Sequence, residues 1–335
     1  MLTYAEFCAG IGGFSVGIRQ SKLDANLIYA NEINASCQQT FLCNFNYKID
    51  SGDIFKIKLM DIPKFDMLCA GFPCQPFSQA GKGLGFRDER GTVFFQLMKI
   101  IKFINPKIVF FENVPNLLRH DKGNTYRIIK SELENAGYIV NTALLDSTFF
   151  GIPQSRPRVY IVAINKIIRR KNEFMFTKEI TEKTPLRPFL NLGDYSIPIS
   201  SRWEEYIDLY TNKKRPEEIT FDLPKTRVKL ERIGAGCDLN DCVFQIRSSG
   251  IRAISLDSPY PTFAVSNSGG GAMIPVLSKE RRHLNLIEMC RIMGFPDTFK
   301  FPVSRTDAIK QLANAVCPPV ITSICNDIKK FIDAN

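Results

Sequence analysis

Leu2-Thr-Tyr-Ala-Glu-Phe7-Cys8-Ala9-Gly10-Ile11-Gly12-Gly13-Phe14 opens the chain with a short apolar run that ends in a glycine-rich turn. Phe14–Ser21, which follows, spaces its apolar residues as a helix does, so the stretch reads strand, tight turn, helix. The alternation recurs down the first half of the chain. Asn26–Ala30 reads as a strand, Ala35–Asn44 as a helix and Phe65–Ala70 as a strand. Val93–Ile104 sets Val93, Leu97, Ile100, Ile101 and Ile104 on one helical face. Lys107–Phe111, Tyr138–Leu145 and Val159–Ile164 are further strands. Asn124 is expected to cap a helix running through Ala136 and stopped by Gly137. Strand–helix units in series define an α/β fold: a doubly wound, mostly parallel sheet with helices on both faces.

Beyond Asn165 the texture changes. Residues 166–235 are charge-rich and Pro-punctuated, and residues 236–280 carry turn residues, Gly269–Gly271 and short β-rich pieces such as Pro261–Val265. This reads as a smaller, irregular, β-rich domain. Helical patterns return at Leu286–Met293, Ala308–Val316 and Val320–Ile332. The expected division is a large domain over 1–183, completed by helices within 303–335, and a second domain with its hinge over 184–302.

The 335 residues hold 44 Lys+Arg against 34 Asp+Glu, a net charge of +10, with 44% hydrophobic and 23% charged residues. Such a composition excludes a disordered chain, a coiled coil and a collagen-like repeat. The basic surplus suits a polyanionic partner. Apolar runs such as Ile108–Phe111 are too short to span a bilayer, and Met1–Phe7 lacks the basic and apolar regions of a signal peptide, so a cytoplasmic location is expected. There are ten cysteines, two histidines (His120 and His283) and no Cys-x-x-Cys. Cys237 and Cys242 are the nearest ligand-like pair, and neither a structural metal nor a disulfide framework is expected.

Four segments carry chemistry. The Gly10–Gly13 turn lets a ligand approach the backbone near a helix N-terminus. A dinucleotide fingerprint would need a third glycine where Ser15 stands, which disfavours NAD or FAD. Glu32, after the second strand, suits ribose hydroxyls, and Asp53 in Gly52-Asp53-Ile54 suits an adenine amino group. An adenosine ligand without a pyrophosphate fits this set, and S-adenosylmethionine is one; the plain alternative is a tight turn beside two solvated acids. Gly71-Phe-Pro73-Cys74-Gln75-Pro-Phe-Ser78 places Cys74 at the carboxyl edge of the sheet, where open α/β folds bind ligands. Prolines stiffen it, and the Gly- and charge-rich stretch Gln79–Arg90 suits a loop over a polyanion; the bland reading of Cys74 is an inert core thiol. Phe110-Phe111-Glu112-Asn113-Val114 ends an apolar strand with a carboxylate whose burial raises its pKa, unless it serves as a cap. Gln154-Ser-Arg156-Pro-Arg158 brings two arginines to the same edge, unless they are solvated there.

In this order and spacing, the segments resemble the bacterial cytosine-5 DNA methyltransferases of restriction–modification systems. The matching pieces are Ala9–Phe14, Asn31-Glu32, Gly52–Ile54, Gly71–Gln75, Arg90-Gly91, Glu112–Val114, Gly151–Arg158, Arg282–Glu288, Arg291–Pro296 and Gln311–Val316. The resemblance covers about residues 1–165 and 280–335, and the segment between corresponds to the family's variable target-recognition region. Two positions depart from the pattern: Cys8 replaces an aromatic residue that packs on adenine, and Ala313 precedes Asn314 where the family has glycine.

The resemblance implies a sheet of the S-adenosylmethionine-dependent methyltransferase type and methyl transfer to C5 of a cytosine flipped out of double-stranded DNA. Cys74 would add to cytosine C6, Glu112 would protonate N3, Arg158 would hold O2, and Arg156 would hold a phosphate or the site's geometry. Attack on the donor methyl group, loss of the C5 proton and elimination of Cys74 would yield 5-methylcytosine and S-adenosylhomocysteine. Cofactor contacts map to Cys8, Ala9, Gly10, Ile11, Gly13, Glu32, Ile33, Asp53, Ile54, Pro73, Asn314 and Ala315. DNA contacts map to Gln75, Ser78, Lys82, Arg90, Arg247, Ser248 and Arg252. The expected partner besides DNA is a restriction endonuclease acting on the same site without a stable complex, and the expected state is a monomer. A tRNA methyltransferase of the same motifs would carry Cys-Phe-Thr, absent here; a dehydrogenase explains neither Pro-Cys-Gln nor Glu-Asn-Val; a non-catalytic DNA-binding module would not need Cys74, Glu112 and Arg158.

Overall fold

The computed structural model describes residues 1–47, 49–72, 92–168, 172–177, 182–191, 193, 197–247, 250–263 and 274–335. The main sheet uses β1 (Leu2–Phe7), β2 (Ala25–Asn31), β3 (Met67–Gly71), β4 (Ile108–Asn113), β5 (Tyr138–Asp146) and β7 (Pro157–Asn165). A two-residue strand, β6 (Gln154–Ser155), precedes β7. The sheet order is β2-β1-β3-β4-β7-β5. β1 pairs in parallel with β2 and β3, and β3 with β4, whereas β7 is antiparallel to both β4 and β5. Every residue of β4 is buried, as the apolar run Ile108–Phe111 that makes up most of it requires of a strand covered on both faces.

Two helix layers do the covering. α1 (Gly13–Gln20) and α2 (Ala35–Phe45) follow the first two strands, and α3 (Val93–Ile104) and α4 (Asn124–Asn135) flank β4. On one face Phe94, Leu97, Ile101, Ile129 and Leu133 pack on Leu68, Val109, Phe111 and Ile161. The expected cap of α4 is corrected. The residue before the helix is Gly123, without a side-chain cap, and Asn124 instead donates to Asp121 at 3.0 Å. The left-handed run Asp121–Gly123 turns the chain there.

Beside the one-turn helix Lys225–Val228, the later helices are α5 (Ser201–Tyr210), α6 (Leu286–Met293), α7 (Arg305–Asn314) and α8 (Pro318–Asp333). α8 returns to the second face of the main sheet, where Val320, Ile321, Ile324 and Ile328 join Phe14 and Ile18 of α1 over Tyr4, Met67, Phe110 and Tyr160. The α1–α8 approach depends on missing side chains. A Cβ at Gly13 would lie 2.5 Å from the Val316 carbonyl oxygen, and one at Gly17 2.5 Å from Ile321 Cβ.

The second half holds another sheet, built from β8 (Leu230–Ile233), β9 (Cys242–Arg247), β10 (Gly250–Ser255), β12 (Val276–Leu277) and β13 (Arg282–His283), in the order β13-β12-β9-β10-β8. The charge-rich, Pro-punctuated stretch 166–235 contains α5, whose Trp203, Tyr206, Ile207 and Tyr210 cover one side of this sheet against Phe244, Ile246 and Ile251. Ser200 caps α5 by accepting from the Trp203 amide. The other side shares a cluster with α6, α7 and the Gly10 turn, joining Val243, Ile254 and Leu277 to Met289, Ile292, Leu312 and Ile11. β11 (Tyr260–Pro261) pairs with β6, and of the β-rich piece read over Pro261–Val265 residues Ala264 and Val265 lie outside the described residues.

Candidate active site

At the carboxyl edge of the main sheet the strand register fixes three neighbours. Glu112 of β4 faces Gly71 of β3 on one side and Tyr160 of β7 on the other. A Cβ at Gly71 would lie 3.2 Å from Val316 Cγ2, a tight contact, and 3.5 Å from Glu112 Oε2, an ordinary one. Asn113 donates to the Phe72 carbonyl at 2.9 Å and ties the exit of β3 to the end of β4. Cys74, with Pro73, Gln75, Ser78, Lys82 and Arg90, lies outside the described residues; the last one described before them, Phe72, stands one residue beyond Gly71.

Glu112 is only 9% exposed. Arg158 Nε meets its Oε1 at 3.1 Å, and both side chains are largely covered. Burial raises the Glu112 pKa, while the guanidinium groups of Arg158 and then Arg156 pull it down. Arg158 also donates from Nη1 to the Pro157 carbonyl at 2.8 Å.

Arg156 is buried and turned inward. Its Nη2 donates to the carbonyls of Ala313 and Ala315, each at 3.0 Å, and Nη1 to that of Phe263 at 3.2 Å. Desolvation, then repulsion from Arg158, brings its pKa down to about 10. The turn that presents it is organised by Asp146, which sequence reasoning missed. Asp146 accepts from the Arg156 amide at 2.8 Å, Ser155 Oγ at 2.7 Å and the Thr148 amide at 3.2 Å.

A cavity of about 270 Å³ opens beside the first turn, lined by Gly10, Ile11, Asn34, Ser36, Cys37, Asp307, Lys310, Gln311, Asn314 and Ala315. Gly10, Ile11, Asn314 and Ala315 were given as cofactor contacts from sequence; Asn34, Ser36, Cys37, Asp307, Lys310 and Gln311 were not. Gln311 joins α2 and α7, accepting from Thr40 Oγ1 and donating to Ser36 Oγ, each at 2.8 Å. Their hydroxyl and amide residues carry no periodic signal that separates them from ordinary helix polar positions. Glu32 borders the cavity through its carboxylate, which accepts from the amides of Gly10 and Asn34 at 2.8 Å each.

The other proposed contacts sit differently. Asp53 accepts from the Phe55 amide at 3.1 Å within its own loop. Ile33 is 67% exposed, Ile54 lies in the core with Phe7, and Ala9 is buried. Cys8 has a left-handed backbone, and burial, then Glu32, pushes its thiol up to about 12. Gly13 packs on Val316. Beneath the turn, Glu6, missed from sequence, accepts from the Ser15 amide at 3.1 Å and from Ser15 Oγ, which in turn accepts from the Tyr4 hydroxyl at 3.1 Å. Burial pushes the Glu6 carboxyl up to about 7.

On the second sheet, Arg247 ends β9 and its carbonyl accepts from Arg227. Arg252 on β10 pairs with Glu231 on β8 at 2.7 Å. Ser248 lies outside the described residues. Among the described residues no group of three or more His, Cys, Asp or Glu side chains could hold a metal ion, and no helix is long and apolar enough to cross a membrane.

An open, mostly parallel sheet with a buried Glu–Arg pair at its carboxyl edge and a cavity of about 270 Å³ beside its first turn places a candidate active site where open α/β folds bind their ligands. Comparison with known proteins is specific: residues 2–330 match the model of the C-5 cytosine-specific DNA methylases, and the chain belongs to that family. It is a DNA cytosine-5 methyltransferase. It is 34% identical to the type II methyltransferase M.NlaX of Neisseria lactamica over 336 residues, covering 100% of this chain and 98% of the relative. It is also 34% identical to M.HhaI of Haemophilus parahaemolyticus over 327 residues, covering 98% and 94%. The fold is similar to that of the Entamoeba histolytica methyltransferase EhMeth, with a TM-score of 0.69 at 19% identity over 99% of each chain.

Proposed function

We propose that the protein methylates C5 of a flipped-out cytosine in a short duplex DNA site, with Cys74 as the covalent nucleophile and S-adenosylmethionine as the donor. The observation that carries the reading is the buried Glu112–Arg158 pair, set by strand register beside the exit of the strand that leads to Cys74. A carboxyl group whose pKa is raised by burial keeps its proton more readily than an exposed one and can present it to cytosine N3. Arg158 fixes the orientation of that carboxyl and has further N–H groups to offer the O2 carbonyl. Arg156, spent on three carbonyls, supports geometry rather than a phosphate.

The cavity suits the cofactor. A Cβ at Gly10 would meet nothing within 4 Å, so the backbone turn is open to a ligand, and the Glu32 carboxylate stands beside it. Asn314 and Ala315 form the opposite wall. When bound there, S-adenosylmethionine supplies an electrophilic methyl group. Ala313 and Ala315 also receive the Arg156 guanidinium, so the cofactor wall and the catalytic edge share one support.

In the same reading, residues 1–183 with 303–335 form the catalytic unit, and 184–302 the target-recognition unit and hinge. The protein acts as a cytoplasmic monomer, alongside an endonuclease that shares its site without a stable complex. The test is covalent trapping on duplex DNA carrying 5-fluorocytosine. Wild type is expected to form a denaturation-resistant adduct that needs S-adenosylmethionine, and Cys74→Ala to form none while still binding DNA. Methyl transfer by Cys74→Ala within a few-fold of wild type would sink the covalent mechanism.

A further inference from the structure

Behind the Glu112–Arg158 pair lie two polar atoms that the reaction has not used. The Tyr160 hydroxyl and Arg156 Nε are both buried, and neither has a hydrogen-bond partner among the described residues. Buried polar atoms are rarely left unsatisfied, and each such atom calls for a partner. Tyr160 is 0% exposed and Arg156 3%. The two are close enough to act on each other electrostatically, and the Tyr160 hydroxyl also feels Glu112, Cys317 and Arg158. The register explains the convergence. Tyr160 is the direct cross-strand neighbour of Glu112, and Arg158, two residues before it, points to the same face of β7.

Resting on the cytosine-5 reading above, we propose that Tyr160 is a positioning residue: with Arg156 Nε it holds one ordered water molecule against the back of the Glu112 carboxyl group. Such a water makes three hydrogen bonds, the usual number for a buried one. Water accepts from Tyr160 O–H and from Arg156 Nε–H with its two lone pairs, and donates one hydrogen to a Glu112 oxygen. Cys317 is already engaged, its thiol directed at the Met293 carbonyl at 3.4 Å, and Arg158 holds the front of the carboxyl. The charged and titratable groups bearing on Glu112 from the surrounding elements are thus Arg156, Arg158, Tyr160 and Cys317. A water donating to the carboxylate favours its charged form and offsets part of the burial that opposes it, so the water sets the pH at which Glu112 gives up its proton.

The test is Tyr160→Phe, which keeps the ring and removes only the hydroxyl. With the water's anchor lost, Glu112 keeps its proton to higher pH. The alkaline limb of kcat is expected to move up by about half a pH unit or more, with the KM for S-adenosylmethionine and the Kd for DNA within two-fold of wild type. A purely structural tyrosine would alter stability or KM and leave the limb in place. A folded variant with an unmoved limb overturns the proposal. Should the variant fail to fold, a high-resolution crystal structure of wild type decides: a water within about 3.2 Å of both Tyr160 Oη and Arg156 Nε supports it, and a dry gap or a protein atom there overturns it. Trapping by wild type on 5-fluorocytosine DNA separates the two failures. If the adduct forms and the limb does not move, only the Tyr160 role falls; if no adduct forms, the reading beneath it falls.

Discussion

Glu112 and Glu6 are two buried carboxyl groups on neighbouring parts of one sheet edge, and burial raises both. Glu112 pairs with Arg158 at the end of its strand, whereas Glu6 is spent inside, holding Ser15 at the start of α1 under the Gly10 turn. Its folded pKa of about 7 stands above the ordinary carboxyl value. The folded state therefore holds a proton that the unfolded chain has already lost over that interval. The associated stability is present below about pH 4.5 and lost as pH rises through about 7, by on the order of 3 kcal/mol. Glu6→Gln is expected to flatten the fall of unfolding free energy between pH 5 and 8 in urea titrations; an unchanged slope would show that Glu6 is charged throughout. Motif residues such as Glu112 and Arg158 were legible because a carboxylate at the end of an apolar strand and arginines at the start of another are unusual patterns. The inward turn of Arg156 was not, because its acceptors are backbone carbonyls that carry no sequence signature.

Elements were readable to the extent that burial is local. Strands such as β4 are largely apolar runs, and α3 shows its stripe. The insertion of β7 between β4 and β5 was not readable, since pairing order is set by contacts remote in sequence. α5 was missed although Trp203, Tyr206, Ile207 and Tyr210 follow helical spacing, because Arg202, Glu204, Glu205 and Asp208 interleave with them and dominate the composition. The α1–α8 contact offers the sharpest test at this scale. A methyl group at Gly17 would fall 2.5 Å from Ile321 Cβ and 2.7 Å from the Pro318 carbonyl oxygen, and both are attached at or near the backbone, so neither can swing aside. Gly17→Ala is expected to destabilise by about 1–3 kcal/mol through overpacking, even though alanine is the better helix former. Denaturant unfolding measures it, and an unchanged midpoint would mean that α8 can slide on α1.

At the scale of the whole molecule, the two sheets are not separated by a seam of water-facing residues. One hydrophobic cluster runs from Ile11 through Met289 and Leu312 to Val243 and Leu277. At its edge Arg282, 1% exposed, donates two hydrogen bonds to the Glu288 carboxylate at 2.8 and 2.9 Å and a third to Glu280 at 2.6 Å. Glu288 also receives the amide of Asn191 at 2.8 Å, so the cluster fastens the chain around Asn191 to α6. Breaking one partner of such a buried set leaves an uncompensated charge, so any exchange of the second sheet must keep Glu280, Arg282 and Glu288 together. Residues 184–278 satisfy that condition, provided that the donor segment supplies the Asn191 amide and the apolar positions of Leu186 and Leu277. Every group assigned to chemistry lies outside this segment, while Arg247 and Arg252 lie within it. Transplanting the matching segment from a relative with a different target should therefore move the methylated site and keep methyl transfer. Bisulfite sequencing of DNA from cells expressing the chimera reads both at once. Methylation at the donor's site supports the division, whereas an active chimera that still marks the original site would place sequence reading in the main sheet's own loops.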